Sequence, residues 1–192
     1  MTHLAKPTRH SAMTQNLLGP LITSKTRLKL LMRFFINQNI GGYLQGLAKE
    51  LDENSNSIRV ELNRLEEAGM LKSSIKGRKK MYHVNSSHPL TTDISKIIRK
   101  VTGIDALVDR VVDRMGKDLQ QVWICGQIAK GIDSSTLEVL LVGKAMDMDY
   151  VTELIGKVES TISKKIEHSI APVASESQRE NCLLVWDSSV SK

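Results

Sequence analysis

The 192 residues, 41% apolar and 25% charged, have the balance of a folded soluble protein and are enough for one large or two small units. No apolar run nears the roughly 18 residues of a membrane span, and the first residues, MTHLAKPTRHSAMTQ, lack the apolar core of a signal peptide. A cytoplasmic protein is therefore expected, and its net charge of +6 points to a polyanionic partner. That charge is unevenly spread. Residues 1–20 carry two Lys/Arg and no acid, residues 21–90 twelve against six, and residues 91–192 thirteen against fifteen. Only the first half is expected to meet the polyanion.

In chain order, residues 1–20 show no periodicity and read as a loose basic tail. Ser24 caps a helix over 25–37, with Leu28, Leu31 and Phe35, joined by Leu30 and Phe34, as its apolar stripe. Gly41 and Gly42 break it, and a second helix follows over 43–52. A third runs over 55–68 with Ile58, Leu62, Leu65 and Ala68 facing in, and Gly69 stops it in the left-handed conformation. Residues 71–85, LKSSIKGRKKMYHVN, then alternate about a glycine-centred turn with four cations in five residues: Lys76, Arg78, Lys79 and Lys80.

Helices are expected over 90–103 and 104–115. Their apolar faces (Ile94, Ile97, Ile98 and Val101, then Leu107, Val108 and Val111) are wide enough to cover the first unit and to pair with a second subunit. Beyond Gly116 the pattern changes to strands over 119–126, 137–143, 166–173 and 182–186, with a helix over 148–165. The run 137–143 reads as a strand buried on both faces. Cys125 and Cys182 lie far apart and suggest neither a disulfide framework nor a Cys-x-x-Cys metal spacing; Cys125 reads as a small apolar core residue. His83, His88 and His168 are scattered and read as surface or core residues.

A polar helix followed by a basic hairpin suits a winged helix-turn-helix, with the helix in the major groove and the hairpin on phosphates. The face opposite Ile58, Leu62 and Leu65 offers Asn56, Ser57 and Arg59 for base edges, with Asn63 next. Ser55 and the helix N-terminal amides suit phosphate, and Lys25 and Tyr43 suit the flanking backbone. Glu61, Glu66 and Glu67 are expected at the far end of the helix, away from DNA.

Over about residues 22–90, the stretch TRLKLLMRFFIN…LAKELDENSNSIRVELNRLEEAGMLKSSIKGRKKMYHVN resembles the winged-helix regulators grouped with the ArsR-like family. The resemblance implies a DNA-binding transcriptional regulator acting as a homodimer. Metal-sensing members use a cysteine pair on the recognition helix, and this helix has none. Residues 123–143, WICGQIAKGIDSSTLEVLLVG, resemble the minimal nucleotidyltransferase fold. In such enzymes a Gly-Ser turn cradles triphosphate and two alternate Asp residues hold Mg²⁺. Here Gly126 and Gly131 match, but Gln127 stands for the serine. Ser135 matches, Thr136 takes the first Asp position and Glu138 the second; Glu167 could face the same cavity.

The expectation is thus an α+β protein: tail 1–20, winged helix-turn-helix 21–90, two-helix linker 91–116 and a small degenerate nucleotidyltransferase-like α/β domain 117–192. It has no catalytic residues, metal or cofactor. Gly126, Gln127 and Ser135 form a candidate pocket for a small-molecule effector. Two alternatives stand: a transferase of nucleotides to protein or RNA with the winged helix as targeting module, and a protein-interaction module.

Overall fold

In the computed structural model, residues 18–144, 146–162 and 164–190 are described. The expected loose tail therefore falls, up to residue 17, outside the described residues.

Helix α1 (Lys25–Phe35) begins at Ser24, whose hydroxyl accepts the Arg27 N–H at 3.2 Å. Leu28, Leu30, Leu31, Met32, Phe34 and Phe35 are all buried. Such a helix is apolar on nearly every side because it is the hub on which other elements pack. Strand β1 (Gly42–Tyr43) follows, then α2 (Leu44–Glu50). Tyr43 therefore stands on a strand and pairs with Met81, and not on the second helix as the periodicity suggests. A turn through Asp52 (φ 49°) leads to α3 (Ser55–Glu67), capped by Asn54 on the Asn56 N–H at 2.7 Å. At its end Gly69 (φ 72°) lets its own N–H bond Glu66 O (2.8 Å) and the Met70 N–H bond Leu65 O (2.9 Å). This doubly bonded left-handed exit aims the chain into the wing.

The wing pairs β2 (Leu71–Lys76) with β3 (Lys79–Val84), and β1 joins the other side of β3. Lys76 opposes Lys79, so the turn is two residues, Gly77 and Arg78, and Gly77 has φ 61°. A positive φ at the first turn residue matches the strand twist and suits glycine. Leu71 and Tyr82 are buried at the base, while Lys72 to Lys80 stand in solvent.

Helices α4 (Thr91–Thr102) and α5 (Ile104–Met115) meet at Gly103 (φ 86°). A sheet follows in the order β6-β5-β4-β7: β4 (Leu119–Cys125), β5 (Thr136–Gly143), β6 (Lys165–Ala171) and β7 (Leu183–Asp187). Helix α6 (Gly126–Ala129) joins β4 to antiparallel β5, and α7 (Met148–Ile162) crosses over to parallel β6. The short α8 (Glu176–Asn181), absent from the sequence reading, carries a capping box between Ser175 and Gln178. As expected, β5 is buried on both faces. Leu137, Val139 and Leu141 join the main core, while Leu140 and Val142 form a small second cluster with Trp123 and Ala174.

The main core is continuous from Leu28 and Ile58 in the winged unit through Ile98, Leu107 and Val111 to Val122, Leu141 and Val158. The halves also touch through backbone. Asn37 Nδ2 donates to Ala129 O at 3.3 Å, and Gly131 lies so close that a Cβ there would stand 2.5 Å from Arg33 Cα.

A further expectation is overturned: Cys125 and Cys182 form a disulfide. Fifty-seven residues of sequence hide their proximity. Ile124 opposes Leu183 across antiparallel β4 and β7, so the next step outward puts the two cysteines face to face. Their Cα atoms are 4.3 Å apart, the close spacing of a non-hydrogen-bonded cross-strand pair.

Candidate nucleic-acid interface

Helix α3 buries Ile58, Leu62 and Leu65 and leaves Asn56, Ser57, Arg59, Val60, Asn63 and Arg64 in solvent. Between α3 and the wing lies an open groove of about 590 Å³. Tyr43, Leu44, Gln45 and Tyr82 line it together with Arg59, Asn63, Arg78, Lys79 and Lys80. Six of the residues singled out in the sequence therefore converge: Tyr43, Arg59, Asn63, Arg78, Lys79 and Lys80. Gln45, Leu44 and Tyr82 were missed. The alternation of β3 pointed to Tyr82, whereas nothing local marks Gln45, which reaches the groove only because α2 packs across α3.

Other candidates lie outside this groove. Asn56 and Ser57 are exposed at the start of α3, Lys76 is exposed beside the wing turn, and Lys25 is exposed at the first turn of α1. Ser55 donates its hydroxyl to Gln45 Oε1 at 3.2 Å. The amide of Asn56 already serves the Asn54 cap, so this helix start has one fewer free donor for phosphate than its sequence suggests.

The wing cations differ in their ties. Lys79 Nζ sits 4.1 Å from the centre of the Tyr43 ring, and Lys80 Nζ 5.0 Å from that of Tyr82. Lys80 also donates to Glu66 Oε2 at 2.6 Å, and Ser73 Oγ donates to Glu66 Oε1. Glu66 is therefore not remote from the wing: it fastens the end of α3 to it. The hydrogen bonds from Lys80 and Ser73 hold the Glu66 carboxyl below the usual carboxylate range, and the Glu66 bond raises Lys80. Lys76 and Arg78 form no ion pair among the described residues.

Glu61, expected away from DNA, is buried, at 5% exposed. It accepts from Ser24 Oγ (2.9 Å), Arg27 Nε (2.8 Å) and Arg64 Nη1 (3.2 Å). Burial pushes its pKa up, but the bonds from Arg27 and Ser24 and the charges of Arg27 and Arg64 outweigh burial, and the net direction is down. Glu61 thus anchors α3 to α1 from behind the exposed face.

The second candidate site is differently furnished. Gly126 has φ 62°, and a Cβ built on it would stand 1.8 Å from Glu138 Oε1. The turn corresponding to the triphosphate cradle is therefore overlain by a carboxylate of the chain itself. Glu138 opposes Cys125 on β4 and Glu167 on β6. Gln127 and Ser135 are exposed. No group of three or more His, Cys, Asp or Glu able to hold a metal ion occurs among the described residues.

No family model and no curated protein matches this chain. Among solved structures, MepR, a transcription regulator of the Staphylococcus aureus multidrug efflux pump MepA, aligns with TM-score 0.42 and 10% identity over 81% of this chain and 89% of its own. AF1382 from Archaeoglobus fulgidus gives 0.36 and 18% over 48% of this chain and 97% of its own. Reduced HlyU from Vibrio cholerae gives 0.34 and 13% over 49% and 87%.

Proposed function

We infer that the chain is a sequence-specific DNA-binding transcriptional regulator, with α3 in the major groove and the wing on the phosphate backbone. The observation that carries this reading is the groove where Arg59 and Asn63 of α3 face Arg78, Lys79 and Lys80 of the wing. Amide and guanidinium groups on a helix suit base edges, and a projecting cationic hairpin suits phosphates. The concentration of positive charge in residues 21–90 fits the same role.

The test is duplex binding by the full chain across a salt series. Replacing Lys76, Arg78 and Lys79 by Ala together should weaken binding to all duplexes alike and flatten the log–log salt slope by about 3. Replacing Asn56 or Arg59 should instead relax sequence preference by about 1–3 kcal/mol per good bidentate contact. Duplex affinity unchanged in the triple variant would overturn the reading.

The regulator would act as a homodimer, since two half-sites call for two-fold symmetry. What supports this is α4, which leaves Ile97 48% exposed beside Leu90 at 48%. Ile97→Glu should shift the sedimenting species to a monomer. The C-terminal unit is read as non-catalytic because Gln127 and Thr136 replace the serine and first aspartate of the resembling enzymes, and because Glu138 covers Gly126. Incorporation of labelled nucleotide with Mg²⁺, lost in Glu138→Gln, would reverse that.

A further inference from the structure

We propose that Cys125–Cys182 is a reversible thiol–disulfide site whose state sets the rigidity of the contact between the C-terminal sheet and the winged unit. Resting on the DNA-binding reading, this places the pair in the compartment that holds the DNA, where thiol pools keep most cysteines reduced and a disulfide that forms is usually transient or regulatory. The two residues are the only cysteines of the chain. Both are half-buried, so a small dithiol can reach the sulfurs.

The bond fastens a weakly held piece. Helix α8 buries none of its own residues. It is held to the sheet at its two ends, by Ala174 in front and Cys182 behind. The cluster beneath has four buried residues: Trp123, Leu140, Val142 and Ala174. Few buried contacts and exposed backbone bonds mark a segment that opens locally at low cost. Cleaving the disulfide removes the covalent one of its two ties.

The other sulfur lies where a change would be felt. Cys125 ends β4 and is followed at once by Gly126 and α6. Ala129, at the end of α6, accepts the hydrogen bond from Asn37, and Gly131 abuts the backbone of Met32 and Arg33. Six residues thus separate the sulfur-bearing residue from the backbone of α1, against which α3 is clamped through Glu61. With the disulfide closed, the start of α6 is pinned to β7. With it open, Cys125 keeps its place opposite Glu138 on β5 but loses its covalent tie to Cys182, and the segment 126–131 loses one of the constraints at its start.

The chemistry is thiol exchange with a dithiol reductant. One external thiolate attacks either sulfur, forms a mixed disulfide and releases the other cysteine as a thiolate, which takes a proton. The second external thiol displaces the remaining sulfur. Two electrons and two protons pass to the pair, and the external dithiol leaves as its disulfide.

The experiment equilibrates the full chain in buffers of reduced and oxidised dithiothreitol and traps free thiols with a maleimide. Both cysteines should react or be protected together, reversibly, while the chain stays folded by circular dichroism. Free thiols under full oxidation, or reduction only on unfolding, would overturn the site. Hydrogen exchange then compares the two states. Reduction should speed exchange in 172–187 and in 126–131, whereas unchanged exchange in 126–131 overturns the coupling. Affinity for a short mixed-sequence duplex at low salt should fall about fivefold or more on reduction. The double variant Cys125→Ser with Cys182→Ser should match the reduced wild-type chain in both redox buffers. Equal duplex affinity in both states overturns the regulatory consequence. No duplex binding in either state, with exchange responding as expected, sinks the DNA-binding reading and leaves the redox coupling standing.

Discussion

Two glutamates of α3 do opposite jobs with the same chemistry. Glu66 holds Lys80, so one wing cation is neutralised where it stands. Glu66→Gln should free that charge and tighten duplex binding, with the log–log salt slope steepening by about 1. Glu61 works from inside. Its folded pKa is depressed, so its contribution to stability is present above the ordinary glutamate value of 4.5 and is lost as pH falls through the folded value. Glu61→Gln should cost about 1–2 kcal/mol at neutral pH, the lower end because Arg27 and Arg64 are partly exposed and screened. It should also flatten the acid limb of a stability–pH profile measured by urea unfolding. For the Glu66–Lys80 pair the signs differ by partner. Glu66, depressed, loses its share below the ordinary glutamate range. Lys80, raised, loses its share only as pH rises above 10.5 through its folded value. The fastening therefore holds throughout the neutral range.

At the level of elements, most of the winged unit was legible in the sequence. Ser24, the period of Ile58, Leu62 and Leu65, and the stop at Gly69 are local signals, and each acts as its residue type predicts. The Gly77–Arg78 turn was likewise readable, because only a short set of residues tolerates positive φ there. What was misread depends on partners distant in sequence. Tyr43 belongs to a strand because β3 lies beside it, not because its neighbours favour one. The burial of Glu61, read only as lying away from DNA, was equally hidden, because Ser24 and Arg27 of the distant α1 region meet it. Cys125 and Cys182 meet through a strand order that 57 residues of separation conceal. Helix α8 was the avoidable omission, since Ser175 and Gln178 spell a capping box; its six residues show no apolar period because none of them is buried.

On the scale of the molecule, the junction at Gly131 is the sharpest point of contact between the halves. Its φ is 76°, and a Cβ would stand 2.5 Å from Arg33 Cα and 2.6 Å from Met32 O, all backbone that cannot swing aside. Gly131→Ala should therefore destabilise the whole chain by about 3 kcal/mol, read as a lowered urea midpoint. Because the buried cluster runs unbroken from Leu28 to Val158, unfolding should be a single transition, with circular dichroism and tryptophan fluorescence coinciding. The same unbroken cluster has a consequence for inheritance. A winged unit with its own closed core can be cut from one gene and joined to another. Here a cut after Val84 would strip α4 from α1, against which it packs, and leave a fragment open to proteases. The winged unit is not a cassette: lineages that keep it must keep the sheet behind it, and the two are bound to diverge together.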